Sequence, residues 1–359
     1  MTAFLSLRTR YENLGNEIIN TLLIRELCRR GRVVGLGSGV PGWYLESIRA
    51  GLGRLSERLT VVPRRRQFAL AILKAGLREP GSLIFTSRGD VSNPRSNYRR
   101  DVYLYALQRL PGMNLALVGA SFDTISPSKA WLLRAAQRRG GAISVRDSRS
   151  RLLLAGAGVG APLVPDLAFL LPTTEPKAGP RRLALFMPRR RATIPVDKVA
   201  GIVAHSADVL RSRGLEPAIA WQSGQDASFC RALARAAGLP VATPSERTVG
   251  RLPAMEKLYR ESAIVLSNRL HALLIAAANG ALPVALLEPE ETRVRGIFED
   301  AGWADLVTDA RAVPDLERLA GHRFAREGAG PAFADAAERI RCYLDRVVGQ
   351  PDRQPECDG

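Results

Sequence analysis

Arg269 and His271 are the residues whose types and spacing most clearly suggest chemistry in this chain of 359 residues. They lie in the segment 264–287, which reads as a short apolar strand, an alanine-rich helix and a second apolar strand. Ser267 or Asn268 can cap the helix, which we expect to start near Arg269. The spacing therefore places a guanidinium and an imidazole at the carboxyl end of a strand and the amino end of a helix.

This position suits the binding of an anion and the transfer of a proton. Open parallel sheets bind ligands beyond the carboxyl ends of their strands, and a helix amino terminus favours phosphate or carboxylate. The planar fork of Arg269 binds such oxyanions, and His271 is the side chain most easily poised for proton transfer near neutral pH. The alternative is a surface arginine beside an ordinary histidine at a helix start.

Apolar strand patterns alternate with helical patterns along most of the chain, which predicts parallel sheets covered by helices on both faces. A proline-rich stretch between Leu171 and Arg181 separates two such sets and indicates a linker. We expect an α/β protein with two Rossmann-like doubly wound domains facing a cleft, as in GT-B enzymes. The predicted parts are a first domain at 1–172, a linker at 173–181, a second domain at 182–321, a helix at 322–349 that can return to the first domain, and a disordered tail at 350–359.

A glycine-rich loop follows the predicted strand 32–36 and formally matches the dinucleotide-binding pattern over Gly37–Gly42. Pro41 is expected to disrupt the helix start that this pattern needs, and Glu57 does not clearly end a second strand. We therefore interpret the loop as a place where backbone N–H groups approach a ligand other than a nicotinamide cofactor.

The composition, with 46% hydrophobic and 24% charged residues, is typical of a globular protein. No apolar run reaches the roughly 18 residues that a membrane-spanning helix needs. Met1–Arg10 shows no secretory signal, so we expect cytoplasmic residence. The four cysteines and three histidines show no metal-ligand spacing, so the sequence predicts no metal site.

The formal net charge of +17 invites an anionic partner. Nearly all basic residues are arginine, which coding bias alone can produce, and aromatic residues make up 6% of the chain, too few for an obvious base-stacking surface. We therefore expect no specific nucleic-acid binding. Basic runs occur at Arg64–Arg66 and Arg189–Arg191. The first run begins a predicted helix over 64–77, whose inward residues are expected to be Phe68, Ile72 and Leu73.

Four short motifs also carry a family resemblance. Ser267–Ala272 reads S-N-R-L-H-A, close to a Ser-x-Arg-Leu-His-Ala signature. Val145–Ser148 with Ser150 matches an "RD..S" segment, Val164–Leu171 a "vpDpaflL" segment, and Asn13–Glu17 an "N-x-GD-E" opening. In this order and spacing, the motifs resemble the polysaccharide pyruvyl transferase family over residues 10–305.

The resemblance implies a transferase that moves the enolpyruvyl group of phosphoenolpyruvate onto sugar hydroxyls. The product would be a pyruvate ketal on an exopolysaccharide or cell-surface glycan precursor, and no cofactor is expected besides the donor substrate. His271 would act as general acid or base, and Arg269 would hold an anionic group of the donor. The residues assigned to donor binding are Arg146, Arg189, Arg190 and Asn268.

The resemblance assigns the acceptor sugar, free or lipid-linked, to Asn16, Glu17, Gly89 and Asp90. Asn16 stands where the family usually carries aspartate, so a pure capping role is the alternative there. Asp90 can merely cap a turn.

Two of the donor assignments also have alternatives. Arg146 can instead form a salt bridge with Asp166 or Asp147. The run Arg189–Arg191 can be a solvated group of charges.

Two rival functions remain open. A GT-B glycosyltransferase using a nucleotide sugar would show a similar fold and a similar basic site, because a helix terminus binds a diphosphate equally well. A non-catalytic binder of nucleic acid or anionic lipid is suggested by the net charge alone. A basic surface would also suit peripheral contact of an enzyme with the anionic inner face of the membrane, where lipid-linked sugars are built.

Overall fold

The computed structural model describes residues 2–78, 82–87, 105–110, 112–174, 181–190, 196–243, 251–315, 318–319 and 328–348. The chain divides into two compact units. The first contains residues 1–11, 16–167 and 336–359, and the second contains residues 12–15 and 168–335. In the described part of the chain, no helix is long and apolar enough to cross a bilayer.

The first unit is built on a six-stranded parallel sheet with the order β3-β2-β1-β4-β5-β6. Its strands are β1 (Thr2–Ser6), β2 (Arg32–Leu36), β3 (Leu59–Val62), β4 (Ser82–Ser87), β5 (Met113–Ala120) and β6 (Ala142–Val145). The strand β1, which the sequence patterns did not predict, lies at the centre of this sheet. Its residues 2–5 are buried, as expected for a strand covered on both faces.

The helices of this unit are α1 (Leu14–Arg30), α2 (Gly42–Leu52), α3 (Arg65–Arg78), α4 (Pro127–Gln137) and α5 (Ser148–Gly156). The strand order reverses at β1, since β2 and β3 lie on one side of it and β4 to β6 on the other. Right-handed crossovers therefore place α1 and α2 on one face of the sheet and α3 and α4 on the opposite face.

The structure differs from two of the sequence-based expectations, at Pro41 and at Leu73. The helix α2 begins directly after Pro41, whose carbonyl accepts hydrogen bonds from Tyr44 N at 3.1 Å and Leu45 N at 3.3 Å. Proline causes no break there because a residue at a helix start needs no intrahelical N–H bond. Leu73 is 39% exposed, while Phe68 and Ile72 pack into the core. The expected disruption at Pro41 and the expected burial of Leu73 were therefore wrong.

The second unit contains a five-stranded parallel sheet with the order β11-β10-β9-β7-β8. Its strands are β7 (Leu183–Met187), β8 (Glu216–Ile219), β9 (Ser262–Ser267), β10 (Leu282–Leu287) and β11 (Val307–Asp309). The helices are α6 (Val196–Ser212), α7 (Ala227–Ala237), α8 (Arg251–Glu261), α9 (Leu270–Ala278) and α10 (Thr292–Asp300). Within the described residues, Val241 forms a single parallel bridge with Ile219.

The helix α9 is the most deeply buried of this unit's helices. Every residue of it except His271 is buried, because its sequence is apolar on all sides and it packs against β9 and β10. His271 is half-buried and stands in the first turn. The start of α9 is therefore fixed by packing, and His271 is its one polar side chain.

A final helix, α11 (Gly330–Val347), begins in the second unit, and its residues from Ala336 onward belong to the first. Within the first unit, Arg30 Nε donates to Asp345 Oδ1 at 2.7 Å, and Arg30 Nη1 donates to Glu26 Oε2 at 2.8 Å. This largely buried cluster attaches α11 to the end of α1.

Candidate active site

The carboxyl edge of the second sheet carries the loops that form the candidate site. The strands β7 and β9 are neighbours although they are not consecutive in the chain, so the strand order reverses between them. Ligands of doubly wound sheets bind at such a switch point, beyond the carboxyl ends of the strands. Pro188–Arg190 follows β7, and Asn268–His271 follows β9. The position of the site within the fold is therefore set by the strand order.

Asn268 connects these two loops. Its Oδ1 accepts a hydrogen bond from Arg189 N at 2.7 Å, and its Nδ2 donates to Arg189 O at 3.4 Å. The side chains of Arg189 and Arg190 are exposed. The loop after β7 thus opens at the same edge as Arg269, and Asn268 holds the backbone of this loop at Arg189.

Ser267 connects the same two strand ends one residue earlier. Its Oγ donates to Met187 O at 2.6 Å and accepts from Arg269 N at 3.0 Å. The predicted capping by Ser267 or Asn268 was wrong, because Arg269 occupies the N-cap position of α9 and no side chain caps the helix. Both polar side chains instead link neighbouring strands.

Arg269 forms an ion pair with Asp226 through its Nε and the carboxylate Oδ2. The side chains are 15% and 4% exposed, so most of the pair is shielded from water. Asp226 lies in the loop between β8 and α7, at the end of a short 3-10 turn over Gly224–Asp226. The sequence patterns did not single out Asp226, although an acid between a strand and the next helix is a signal for a residue at this edge.

Cys230 packs beside this ion pair in the first turns of α7. Its thiol donates to Pro188 O at 3.4 Å. Burial raises the pKa of Cys230 to about 12, with the Asp226 charge adding to the increase and Arg269 opposing it. The thiol is therefore protonated at neutral pH and is not an activated nucleophile.

The opening segment Glu12–Gly15 joins the second unit at the loop after β8. Asn13 pairs with Ser223 in an antiparallel bridge, Leu14 N donates to Gln222 O at 3.2 Å, and Gly224 N donates to Glu12 O at 3.2 Å. Asn13 Oδ1 also accepts from Gly15 N at 3.0 Å, which forms a tight turn at the start of α1.

This pairing brings Gly15 against His271. A Cβ atom on residue 15 would lie 2.6 Å from both Cβ and Cγ of His271, and closer still to Nδ1. Contact with Cβ is not relieved by rotating the imidazole, so residue 15 can only be glycine while the backbone keeps this position. The motif Asn13–Glu17 and the motif Ser267–Ala272 are therefore in contact through Gly15 and His271.

A largely apolar pocket, partly open to solvent, lies beside Asn268 at the same edge. It is lined by Phe186, Pro188, Arg189, Val199, Ile202, Val203, Phe229, Leu266, Ser267, Asn268, Leu286 and Ala310. Such a lining suits an apolar or aromatic group better than a small anion. In the part of the chain that the structure describes, no three His, Cys, Asp or Glu side chains are grouped to hold a metal ion.

Arg146 belongs to the first unit, where its side chain is 4% exposed. Its Nε donates to Ser121 Oγ at 2.6 Å, and its Nη1 forms an ion pair with Asp166. Asp147 caps α5 by accepting from Ser150 N at 2.8 Å. The structure thus contains the Asp166 salt bridge that the sequence analysis offered as the alternative, and contact of Arg146 with the donor stays a prediction.

The predicted acceptor residues also belong to the first unit where they are described. Asn16 lies inside α1 and its Nδ2 donates to Arg10 O at 3.4 Å, so it does not cap the helix. Glu17 is buried and accepts a hydrogen bond from Ser47 Oγ. Burial, together with the Glu17 charge, raises the pKa of Tyr44. Gly89 and Asp90 lie outside the described residues, so these four assignments stay predictions.

We expect Asp226→Asn to destabilise the protein, because it leaves the Arg269 charge largely buried without a counter-charge. Breaking one side of a buried pair costs about 3 kcal/mol. Urea unfolding measures this loss. Asp208→Asn is the matched control, since its ion pair with Arg211 lies on the exposed face of α6 and contributes at most about 1 kcal/mol. Equal losses in the two variants would contradict a structural role for the Arg269–Asp226 pair.

Solved structures of several sugar-nucleotide proteins resemble this fold. HepE of Anabaena, in complex with UDP and glucose, has a TM-score of 0.61 at 11% identity over 98% of each chain. A protein described as a UDP-N-acetylglucosamine 2-epimerase from Listeria monocytogenes has a TM-score of 0.59 at 13% identity over 98% of each chain. MnaA of S. aureus with UDP has a TM-score of 0.57 at 10% identity over the full length of both chains. The chain shares their GT-B-type fold of Rossmann-like domains.

Comparison of the sequence with models of protein families identifies the family of this chain. No curated protein matches the sequence. The sequence model of the family described as "Polysaccharide pyruvyl transferase" matches residues 13–286, which include the Asn13–Gly15 segment, Asp226 and the Arg269–His271 pair. The match covers most of the chain, so this protein is a transferase that belongs to the polysaccharide pyruvyl transferase family.

Proposed function

We propose that this enzyme transfers the enolpyruvyl group of phosphoenolpyruvate to two hydroxyls of one sugar, forming a pyruvate ketal and inorganic phosphate. The main support for the proposal is that Arg269 and His271 both lie at the start of α9, at the carboxyl edge of a parallel sheet, in a member of this family. The acceptor in this proposal is a free or lipid-linked sugar of an exopolysaccharide precursor.

The donor carries a phosphate and a carboxylate, and the site offers matching positive groups. The Arg269–Asp226 ion pair uses Nε and leaves the outer edge of the guanidinium for an oxyanion. Among the described residues, neither terminal nitrogen of Arg269 makes a hydrogen bond. The amino end of α9 adds backbone N–H groups. Arg189 and Arg190 are exposed on the neighbouring loop and add positive charge.

His271 is the group proposed to move protons. Protonation of the donor methylene at C3 creates a cationic C2, which a sugar hydroxyl attacks. The C2–O bond to phosphate then breaks, and a second hydroxyl closes the ketal. In the overall balance, one of the two hydroxyl protons ends in the new methyl group, and the other leaves with the released phosphate. A half-buried imidazole held against Gly15 can give a proton to the methylene and take one from a hydroxyl.

A nucleotide-sugar glycosyltransferase remains the second candidate. The apolar pocket beside Asn268 supports it, because a nucleobase needs an apolar wall next to a diphosphate site. Two of the solved structures of similar fold contain UDP, which also supports the glycosyltransferase candidate. Glu17 is a buried carboxylate that can accept a sugar hydroxyl in either reaction.

Ligand-induced stabilisation separates the two candidates. We expect phosphoenolpyruvate to raise the melting temperature, since a ligand at 100 times its Kd adds about 2.7 kcal/mol to the folded state. UDP-glucose and UDP-N-acetylglucosamine should leave it unchanged. Arg269→Ala should abolish the shift, whereas Arg211→Ala, on the exposed face of α6, should keep it. A shift with the nucleotide sugars alone would instead favour the glycosyltransferase.

We expect His271→Ala to abolish turnover while the protein stays folded. Loss of a general acid or base lowers kcat by about 10² to 10⁴. Mass spectrometry of a glycan panel incubated with phosphoenolpyruvate measures ketal formation. His205→Ala is the control, because His205 is exposed in the middle of α6. Full activity of the His271 variant would remove the proposed role.

Gly15→Ala tests the contact between the two motifs. The added Cβ forces the backbone of residue 15 away from His271, and a displacement of about 1 Å at a catalytic group can lower the rate about 100-fold. Gly330→Ala is the control, because residue 330 starts the helix α11 and a Cβ there meets no atom within 4 Å. Equal activities of these two variants would show that the close approach does not position the imidazole.

A further inference from the structure

The outer face of α3 carries an apolar stripe. Leu70, Leu73 and Leu77 are 51%, 39% and 69% exposed, and their spacing of three and four residues places them on one side of the helix. The inner side is already filled, since Phe68 and Ile72 are buried in the sheet core. The three exposed leucines are therefore not needed for the packing of α3 on its own sheet.

Basic residues surround the stripe. The exposed charged residues of α3 are Arg65, Arg66, Lys74 and Arg78, and the helix contains no acid. The nearest acid in the sequence after the stripe is Glu79, which follows the last residue of the helix. A surface helix normally presents mixed charge to water, so a stripe of leucines among basic side chains requires a partner.

The helix α4 lies on the same side of the sheet and also exposes an aromatic side chain. Right-handed connections place α3 and α4 on one side of the sheet, and Trp131 on α4 is 55% exposed. Its ring lies edge-on to Tyr105 with a centroid distance of 6.1 Å, and Tyr105 packs on the core beside α3. Arg138 and Arg139 are exposed just after α4. Tryptophan and arginine together are typical of a surface at a membrane interface.

We propose that the basic-leucine face, defined as Leu70, Leu73, Leu77 and Trp131 with Lys74 and Arg78, docks on a bilayer that carries anionic headgroups. The leucines enter the boundary between headgroups and acyl chains, while lysine and arginine contact the lipid phosphates. The chain's net charge of +17 adds attraction over a longer range.

Charge decides between this occupant and the others. A second copy of the chain would bring one basic face against another, and its charges would repel. A nucleic acid would neutralise the arginines but would leave the leucine stripe in contact with water or phosphate. A bilayer with anionic headgroups supplies both negative charge and an apolar layer. This inference goes beyond pyruvyl transfer and does not depend on it.

Vesicle sedimentation of the full chain tests the proposal. We expect binding to vesicles of equal parts phosphatidylcholine and phosphatidylglycerol, and at least about tenfold weaker binding to phosphatidylcholine alone. The triple variant Leu70→Gln, Leu73→Gln and Leu77→Gln should weaken binding by about tenfold or more. Leu152→Gln is the matched control, because Leu152 is a 69% exposed leucine on α5, outside the face.

Charge variants test the same face without changing the leucines. Lys74→Glu with Arg78→Glu should weaken vesicle binding at least about 25-fold, from about fivefold for each basic residue. Arg49→Glu with Arg54→Glu is the control of equal charge, since these exposed arginines lie on α2 and directly after it, on the opposite sheet face. Circular dichroism checks the folding of every variant.

Three results would overturn the proposal. One is equal binding to both vesicle types, and another is equal loss in the face variants and their controls. The third is absence of vesicle binding together with a dimer in light scattering that the leucine variant converts to a monomer. Pyruvyl transfer to a water-soluble acceptor should remain unchanged in the leucine variant, so failure here is distinguishable from failure of the proposed reaction.

Discussion

The ion pair between Arg269 and Asp226 is the interaction on which the candidate site depends. A guanidinium at the end of a buried strand loses most of its hydration, and this loss is tolerable because a carboxylate lies in contact with it. Asp226 is carried by the loop after β8, which also binds the segment Glu12–Gly15 through its backbone. One electrostatic constraint therefore fixes Arg269, and the same loop brings Gly15 to His271.

The rest of the second unit makes this edge rigid. Ser267 and Asn268 link the end of β9 to the end of β7, and α9 is buried on all sides except at His271. His271, the proposed catalytic group, cannot change its position on this helix unless the packed core of the second unit moves with it. Rigid elements hold reacting groups more accurately than loops do, so the arrangement is suited to keeping Arg269 and His271 in a fixed relative position.

The sequence predicted the strand-helix-strand unit around Arg269 because apolar periodicity and glycine positions are local signals. It could not identify Asp226 as the partner of Arg269, because the two residues are 43 positions apart in the chain and become neighbours only through the strand order. The capping role expected for Ser267 failed for the same reason, since its hydroxyl finds Met187 O on an adjacent strand. The central strand β1 was missed because five residues at a chain end give little periodicity.

The helix α3 shows a different limit of sequence reasoning. Phe68, Leu70, Ile72, Leu73 and Leu77 surround most of the helix, so periodicity alone cannot tell which of them face the sheet. Only the packing of Phe68 and Ile72 against β-strand residues reveals that the leucines form a second, outward side. The net charge was equally ambiguous as a single number, because coding bias and an anionic partner predict the same total. The arrangement of basic residues around exposed leucines is the observation on which the proposed docking to an anionic bilayer rests, since coding bias gives no reason for leucine to be exposed beside arginine.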